Sequence, residues 1–427
     1  MSHSFPTRRS SDLYLALERY AGGYRPGPAP RSLAYIGLAV YESCLSGMPE
    51  YRSVKGYYPG LTIPAPENGV VYYYPEVVNA AYGALMKSFF AAIPTITASQ
   101  MAEISALSSQ LEAQYAKETD SGTFSKSRIY GEAVAKAVYE YAKTDAIAHD
   151  HHLDPFKDAV GKYKPSSAKG NWVPTIPGSA RPMFPDWGYC RTFAIKETDK
   201  LCKNPIPYSE DKNSQFFNQA SEVVAMTKNV TADQRWYAFF WSDDLMNLTF
   251  SPGPRWIAIE NEVILQRKAN LETAIYANVK VGMAINDAAV SCWYSKYYYN
   301  IERPESYIKR VIDLTWEPLL YHPLTSDKGI SPSFPAYPSG HSTMGAAAAE
   351  VLSDIFGNSV AITDRCHEGR YDFEGSNPRS FGSFYEMANE NAYSRIPLGV
   401  HFRMDCEEGV NLGIRCGRKV NQLNWKR

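Results

Sequence analysis

Apolar residues recur at helical spacing through most of the chain. In the segment 31–48, Leu33, Ile36 and Val40 stand three to four positions apart, which places them on one face of a helix. The same periodicity predicts helices over residues 31–48, 77–93, 98–116, 127–143, 214–228, 232–246, 255–267 and 271–301, and two more that begin near His341 and His401. Strand patterns are few, and no internal repeat is evident. The pattern therefore predicts an all-α fold.

The pattern divides the chain into four parts. Residues 1–13 lack both helical periodicity and the apolar core of a signal peptide, and we interpret them as a non-native segment. Residues 14–150 predict an N-terminal helical layer. Residues 151–210 begin in a stretch rich in Pro, Gly and Ser, and we expect this irregular segment to wrap over its neighbours. Residues 211–427 predict a second helical bundle that forms one compact unit with 14–150.

Composition and charge exclude several classes of function. The 427 residues carry 44 Lys and Arg against 45 Asp and Glu, which leaves no basic excess for nucleic acid. Mean hydropathy is -0.35, and no apolar run approaches the roughly 20 residues of a membrane span. The seven cysteines form no CxxC pair, which argues against a zinc ribbon. Disulfides Cys190–Cys202 and Cys406–Cys416 stay open alternatives, since they depend on export.

The first candidate site segment carries two cations seven residues apart. On a continuous helix, Lys296 and Arg303 would lie within about 20° of the same face, with Trp293 one turn earlier. Like charges stacked on the inner side of a helix are unfavourable unless an anion lies between them. The alternative is an exposed basic stripe.

The second segment, Pro338-Ser339-Gly340-His341, directly precedes a predicted helix. Ser339 suits the N-cap, and Gly340 lets a ligand approach the backbone. The helix N-terminus would attract an oxyanion, to which His341 could donate a proton. The alternative is a serine cap with an incidental histidine.

The third segment runs from Arg395 through His401 to Asp405. Pro397 and Gly399 break the chain between the first two residues, so that Arg395 can turn back from a loop. Asp405 lies four residues after His401 and can orient its imidazole. Each segment alone is a weak signal, but together they predict one pocket for a tetrahedral oxyanion, formed by Lys296, Arg303, Ser339, Gly340, His341, Arg395 and His401.

The order K-x6-RP, PSGH and SR-x5-H-x3-D resembles that of the vanadium-dependent haloperoxidase and type 2 acid phosphatase superfamily. The sequences FPAYPSGH and SRIPLGVH are similar to those of its chloroperoxidase-like and bacterial iodoperoxidase-like members. The specific resemblance covers residues 287–405, and GYRPGPAPRSLAYIGLAVYES near the N-terminus also resembles bacterial members. The resemblance implies two helical bundles around a vanadate or phosphate pocket.

The resemblance also implies a role for each motif residue. His401 would bind vanadium through a ring nitrogen, and His341 would be the acid–base group. Lys296 would polarise the bound peroxide as well as contact vanadate. The vanadate oxygens would accept hydrogen bonds or charge contacts from Lys296, Arg303, Ser339, Gly340 and Arg395. Trp293 and Phe334 would shape the halide side of the pocket.

The implied reaction is the oxidation of a halide by hydrogen peroxide to hypohalous acid, with iodide or bromide favoured over chloride. Vanadium would act as a Lewis acid without a change of oxidation state. The implied partners are hydrogen peroxide, a halide and a small organic acceptor, and an oligomer is compatible with the resemblance. The resemblance further implies a periplasmic or secreted protein.

Two rival interpretations remain open. In a soluble acid phosphatase of the same superfamily, no cofactor would be needed, His401 would form a phosphohistidine and His341 would protonate the leaving alcohol. In a metal-binding protein without turnover, the ligands would come from His149-Asp150-His151-His152. Adjacent histidines rarely converge on one metal ion, so a polar loop is the simpler interpretation.

Three further carboxylates deserve a hypothesis. Asp287 is nine residues from Lys296, about 180° away around a helix, and we expect it to be structural. Asp243 or Asp244 could supply a buried counter-charge for Arg395.

Overall fold

The structure, a computed structural model, describes residues 6–175, 181–243, 245–370 and 374–427. These residues form fourteen α-helices. Their bounds are α1 (Pro6–Glu18), α2 (Pro28–Cys44), α3 (Tyr74–Phe90), α4 (Ala98–Tyr115), α5 (Ser121–Lys143), α6 (Ala146–His149), α7 (Gln215–Lys228), α8 (Ala232–Phe240), α9 (Arg255–Arg267), α10 (Leu271–Tyr299), α11 (Pro304–Val311), α12 (Gly340–Phe356), α13 (Phe384–Tyr393) and α14 (Arg403–Asn421).

The all-α expectation is confirmed. Within the described ranges, strands are limited to β1 (Ile362–Asp364) and β2 (Arg379–Phe381), which pair antiparallel with Thr363 opposite Ser380. None of the helices in these ranges combines the length and the apolar character needed to cross a membrane.

Helix α10 is the axis on which two helical groups meet. It packs against α2 on the side of the N-terminal group α1–α5, and against α12 and α14 of the C-terminal group. Twenty-nine residues long, it is buried along nearly its whole length from Ala274 to Lys296. Because the C-terminal end of this buried helix carries Lys296, a cation is placed inside the protein.

Small residues allow α12 and α14 to pack very closely. Gly409, Gly413 and Gly417 recur every fourth residue, so they lie on the same face of α14. A β-carbon on Gly413 would stand 2.2 Å from the backbone oxygen of Thr343 on α12. This close approach fixes the N-terminus of α12 against the N-terminus of α14, where the motif histidines lie.

The segment 151–210 lies across α10, and within its described part it contains no α-helix or strand. Asp287 of α10 holds it, because its carboxylate accepts hydrogen bonds from the backbone N–H groups of Phe193, Ala194 and Ile195 at 2.7 to 2.9 Å. This contact gives Asp287 the structural role expected from its position. The division of the chain into four parts stays a prediction.

Several local expectations were wrong. Helix α1 begins at Pro6, although residues 1–13 show no helical periodicity, because its inner face buries the small polar residues Ser10 and Ser11. The Ser11 hydroxyl accepts a hydrogen bond from Asn261 at 2.8 Å, which replaces the apolar contacts that a periodic pattern would show. Residues 1–5 lie outside the described residues, and the origin of the segment 1–13 stays a prediction.

Other element bounds differ from the sequence pattern. Helix α8 ends at Phe240, short of the expected residue 246, and α2 ends at Cys44. Helices α11 and α13 were not predicted, since each is at most ten residues long. All seven cysteines are free thiols, so neither of the two disulfides considered is formed.

The glycine face of α14 predicts a stability effect. In Gly413→Ala, the new methyl group would collide with the Thr343 carbonyl, and we expect a loss of about 1–3 kcal/mol in the free energy of unfolding. Gly56→Ala is the matched control, because nothing lies within 4 Å of its β-carbon position. Urea unfolding of both variants measures the difference. Equal stability of the two variants would contradict the close packing of α12 and α14.

Candidate oxyanion site

The two cations of the first motif come together through a break in the helix. Helix α10 ends at Tyr299, and Asn300 takes a left-handed conformation with φ of 51°. Arg303 is then the N-cap residue of α11, with Pro304 following it. The expectation that Lys296 and Arg303 share one continuous helical face is therefore wrong. Both side chains are nevertheless completely buried and lie against the Phe334 ring, at 5.2 and 4.9 Å from its centroid.

Lys296 is held by backbone oxygens. Its Nζ donates hydrogen bonds to the carbonyls of Pro335 at 2.8 Å and Ala336 at 2.9 Å. Burial, together with the neighbouring Arg303 guanidinium, lowers the pKa of Lys296 below its usual value. An anion beside this ammonium group would oppose that shift and stabilise the charged form.

The second motif forms the N-terminus of α12. Ser339 is the N-cap, and its side chain accepts a hydrogen bond from the Ser342 N–H at 3.4 Å. The Ser339 N–H donates to the Asp405 carbonyl at 2.8 Å, which ties this helix end to the third motif. A β-carbon on Gly340 would stand 3.3 Å from the Trp293 indole. Gly340 thus leaves the helix N-terminus open between the indole and the His341 side chain.

The contacts of His401 fix its tautomer. Its Nδ1 lies 3.0 Å from Asp405 Oδ2, and its Nε2 lies 3.2 Å from Arg303 Nη1. A guanidinium can only donate, so Nε2 is the acceptor and Nδ1 carries the proton that it donates to Asp405. The Asp405 carboxylate also accepts from the Phe402 N–H at 2.9 Å and so caps α14. The lone pair on Nε2 is therefore directed toward the cationic side of the site.

The surroundings keep His401 neutral. Burial lowers its pKa well below the usual value, and the positive charges of Arg303, Lys296 and Arg395 lower it further. Burial raises the pKa of Asp405, while the Phe402 N–H and the same cations Lys296 and Arg303 act in the opposite direction. A neutral imidazole can bind a metal, and the buried cations beside it favour an anion in the same region.

The motif residues adjoin a single cavity of about 350 Å³. Six of the nine predicted site residues line it: Trp293, Phe334, Gly340, His341, Arg395 and His401. The other three predicted residues do not line the cavity but adjoin residues that do. Lys296 lies against Phe334, Arg303 contacts His401, and Ser339 precedes Gly340. Trp293 and Phe334 pack on each other with ring centroids 4.8 Å apart and form an aromatic side. The structure thus brings all nine predicted site residues together.

Sequence reasoning missed most of the apolar lining. Residues of this kind come from five separate segments of the chain, among them Phe156, Met183, Leu245, Leu320, Ile330 and Met344. No motif connects them, and side chains of this type in a sequence are more often core. Only their shared cavity identifies them as part of the site.

Asp243 and Asp244 were the candidates for a buried counter-charge beside Arg395. Asp243 lines the cavity, but its carboxylate accepts hydrogen bonds from Arg255 at 2.9 Å and lies 3.0 Å from His367. Pairing with these groups accounts for its burial. Asp244 lies outside the described residues. Pairing of either aspartate with Arg395 stays a prediction.

The histidine loop does not converge on a metal. His151 Nε2 lies 3.1 Å from the Lys157 carbonyl, and His152 Nε2 lies 3.2 Å from the Ala92 carbonyl. His149 faces Asp150 at 3.7 Å. The Nε2 atom of each histidine thus has a different neighbour, which supports the polar-loop interpretation of 149–154.

The donor set fits a tetrahedral oxyanion of a metal. Lys296, Arg303 and Arg395 supply positive charge, and the N-terminus of α12 supplies backbone N–H groups. His401 adds a neutral ring nitrogen, which vanadium can accept as a ligand and phosphorus can accept as a nucleophile. The residues present therefore fit vanadate, and they also fit phosphate.

Comparisons with known proteins agree with this geometry. Residues 277–426 match the model of the VCPO second helical-bundle domain, and this range contains all nine site residues. The vanadium chloroperoxidase of Curvularia inaequalis is 25% identical over 365 residues, or 70% of this chain and 59% of that protein. The vanadium-dependent bromoperoxidase of Ascophyllum nodosum is 34% identical over 91 residues, 19% of this chain and 16% of that protein. The chain thus spans less than two thirds of these relatives.

Solved structures extend the similarity to the whole chain. A bacterial vanadium-dependent iodoperoxidase superposes with a TM-score of 0.84 at 27% identity, and the match covers 99% of this chain and 97% of that one. A bacterial vanadium-dependent chloroperoxidase shares the fold, with a TM-score of 0.70 at 13% identity over 95% of this chain and 93% of that one. The chain is thus similar in fold to vanadium-dependent haloperoxidases, and its C-terminal bundle is also similar to them in sequence.

Proposed function

We propose that this chain oxidises a halide, iodide or bromide in preference to chloride, with hydrogen peroxide to hypohalous acid. The observation that carries the proposal is a neutral, buried His401 whose Nε2 faces three buried cations. Vanadate, when bound, would supply a Lewis acid that activates peroxide without a change of oxidation state. Iodide and bromide are favoured because they are easier to oxidise than chloride.

The residues of this chain would divide the work around that group. His401 Nε2 would bind the metal, and Asp405 would hold the ring in the required tautomer from the opposite nitrogen. Lys296, Arg303 and Arg395 would balance the negative oxygens, to which Ser339 and the N–H of Gly340 would also donate. Because the pKa of Lys296 is already lowered, this ammonium group could also polarise peroxide as a proton donor.

His341 would be the acid–base group. It lies in the first turn of α12 on the cavity wall, and its backbone oxygen accepts a hydrogen bond from Asn391 Nδ2 at 3.1 Å. A proton held on this imidazole could pass to the oxygen that leaves as peroxide enters. The ring is 5% exposed, so exchange with bulk water would run through the cavity.

The aromatic wall favours a large, polarisable anion. Phe334 has Lys296 and Arg303 on its face, and Trp293 packs against it. We assign the halide to this side of the cavity. The whole cavity measures about 350 Å³ and its lining is largely apolar. The part beyond the oxyanion and halide positions leaves room for a small uncharged organic acceptor.

Two paired assays test the proposal. Iodide and bromide oxidation with hydrogen peroxide is measured with and without added orthovanadate, beside hydrolysis of p-nitrophenyl phosphate. We expect halide oxidation that depends on vanadate. Phosphate ester cleavage that vanadate inhibits, without halide oxidation, would instead select the phosphatase, for which His401 would be the nucleophile.

The two motif histidines should fail in different ways. His401→Ala should abolish vanadate binding, because it removes the ring nitrogen that would bind the metal. His341→Ala should retain vanadate and lose about 10²–10⁴-fold in halide oxidation rate. Vanadate binding is measured by calorimetry and the rate by triiodide formation.

His149→Ala is the matched control for both variants, since His149 is partly exposed and lies outside the cavity. It should keep both vanadate binding and rate. Full activity of His341→Ala would show that its assigned role is wrong.

Removal of the Asp405 carboxylate should weaken the cofactor site indirectly. In Asp405→Asn, the amide no longer holds the proton on Nδ1 of His401 as strongly, and we expect a loss of about 10–100-fold in vanadate affinity. Asp354→Asn is the control, because Asp354 is 47% exposed and neither it nor its partner Lys280 lines the cavity. Unchanged vanadate affinity in Asp405→Asn, measured by calorimetry, would remove the positioning role.

A further inference from the structure

Three thioether side chains line the cavity that contains the motif histidines. They belong to Met183, Met246 and Met344, out of eleven methionines in the chain. His341 and His401 line the same cavity. An oxidant released in this cavity would therefore have three thioethers within reach.

Met344 lies closest to the helix N-terminus. It follows Gly340 by four residues on α12, so both residues lie on one face of the helix. The methyl group of Met344 is 3.9 Å from the position that a β-carbon on Gly340 would occupy. A change in this side chain would therefore act directly on the backbone that we assign to oxyanion binding.

Met183 and Met246 come from two other segments of the chain. The backbone oxygen of Met183 accepts hydrogen bonds from Trp293 Nε1 at 3.4 Å and from the Tyr297 hydroxyl at 2.5 Å, which fixes it beside the aromatic side. The backbone oxygen of Met246 lies 2.9 Å from His322 Nε2. Both methionines are half-buried and reach the cavity from loops.

Sulfur is the group that a hypohalous acid would oxidise first in this cavity. The described lining residues include no cysteine, and a thioether is more nucleophilic than an indole or an imidazole. The sulfur donates an electron pair to the halogen of the hypohalous acid, so that an S–halogen bond forms while the O–halogen bond breaks and hydroxide leaves. Water then attacks the sulfur, halide leaves, and hydroxide takes up one of the two protons released. Water supplies the sulfoxide oxygen, and the products are methionine sulfoxide, halide and a proton.

We propose that Met183, Met246 and Met344 are sites of oxidation by the hypohalous acid that the chain itself produces, an inference that rests on the proposed function. Oxidation replaces an apolar thioether by a polar sulfoxide. At Met344 the added oxygen would crowd Gly340, which lies beside it at the N-terminus of α12. The modification therefore limits the number of turnovers and makes inactivation depend on catalysis.

Methionines elsewhere in the chain provide matched comparisons. Met101 and Met226 are half-buried like Met183 and Met246, but they do not line the cavity. Met86 is 1% exposed, as is Met344, and it too lies outside the cavity. Within each comparison the methionines are buried to a similar degree, and they differ in whether they line the cavity.

The experiment follows sulfoxide formation by peptide mass spectrometry. The chain loaded with orthovanadate turns over iodide and peroxide in the presence of excess free methionine, which intercepts oxidant that escapes into solution. We expect sulfoxide at Met183, Met246 and Met344 at least severalfold above that at Met101, Met226 and Met86. Peroxide without halide, and the His341→Ala variant with both substrates, should not produce this preference.

A second variant tests the consequence. Met344→Leu conserves side-chain volume and removes the sulfur. The total turnovers before half of the activity is lost, normalised to each protein's own initial rate, should rise severalfold over the unmodified chain. Met86→Leu should leave that number unchanged.

The outcomes separate the two proposals. One outcome is that triiodide forms but sulfoxide follows exposure alone, or free methionine protects all sites equally. This outcome would overturn oxidation within the cavity, while the proposed halide oxidation would stand. Absence of vanadate-dependent triiodide formation would overturn both.

Discussion

Positive charge buried without bulk water is the constraint on which this site depends. Lys296, Arg303 and Arg395 are each at most 1% exposed. Burial of a single ion costs roughly several kcal/mol, even after the protein relaxes around it. Their field, together with burial, keeps the imidazole of His401 neutral. An oxyanion that binds this nitrogen would also relieve the repulsion among the cations. Binding of such a cofactor would therefore neutralise the buried positive charge at the same time.

Close packing of α12 on α14 positions the motif residues around the buried cations. The glycine face of α14 brings its N-terminus onto α12, and the Ser339 N–H then reaches the Asp405 carbonyl. The same Asp405 binds His401 through its side chain. Asp405 thus links a helix cap, the junction of α12 with α14 and the orientation of the His401 ring, which explains why three short segments suffice to define the site. The segment 151–210, which Asp287 holds on α10, contributes Phe156 and Met183 to the lining of the cavity.

The sequence predicted the parts that local chemistry determines. Ser339 as an N-cap and the turn between Arg395 and His401 follow from residue type, and the convergence of the cations follows from their need for an anion. The path between Lys296 and Arg303 could not be predicted, since it depends on a left-handed Asn300 that the periodic pattern conceals. Helix α1 was missed because hydrogen bonds of buried serines replace apolar contacts. The thioethers of the cavity wall come from distant segments, and only the tertiary fold brings them together.

A crystal structure of the chain equilibrated with orthovanadate tests the central claim most directly. The account predicts one vanadium, identified by its anomalous signal, bonded to Nε2 of His401 and within reach of Lys296, Arg303 and Arg395. Arg303 Nη1 should then turn from His401 to a vanadate oxygen. Vanadium bound elsewhere, or a His401 Nε2 that keeps its hydrogen bond to Arg303 at saturating vanadate, would contradict it.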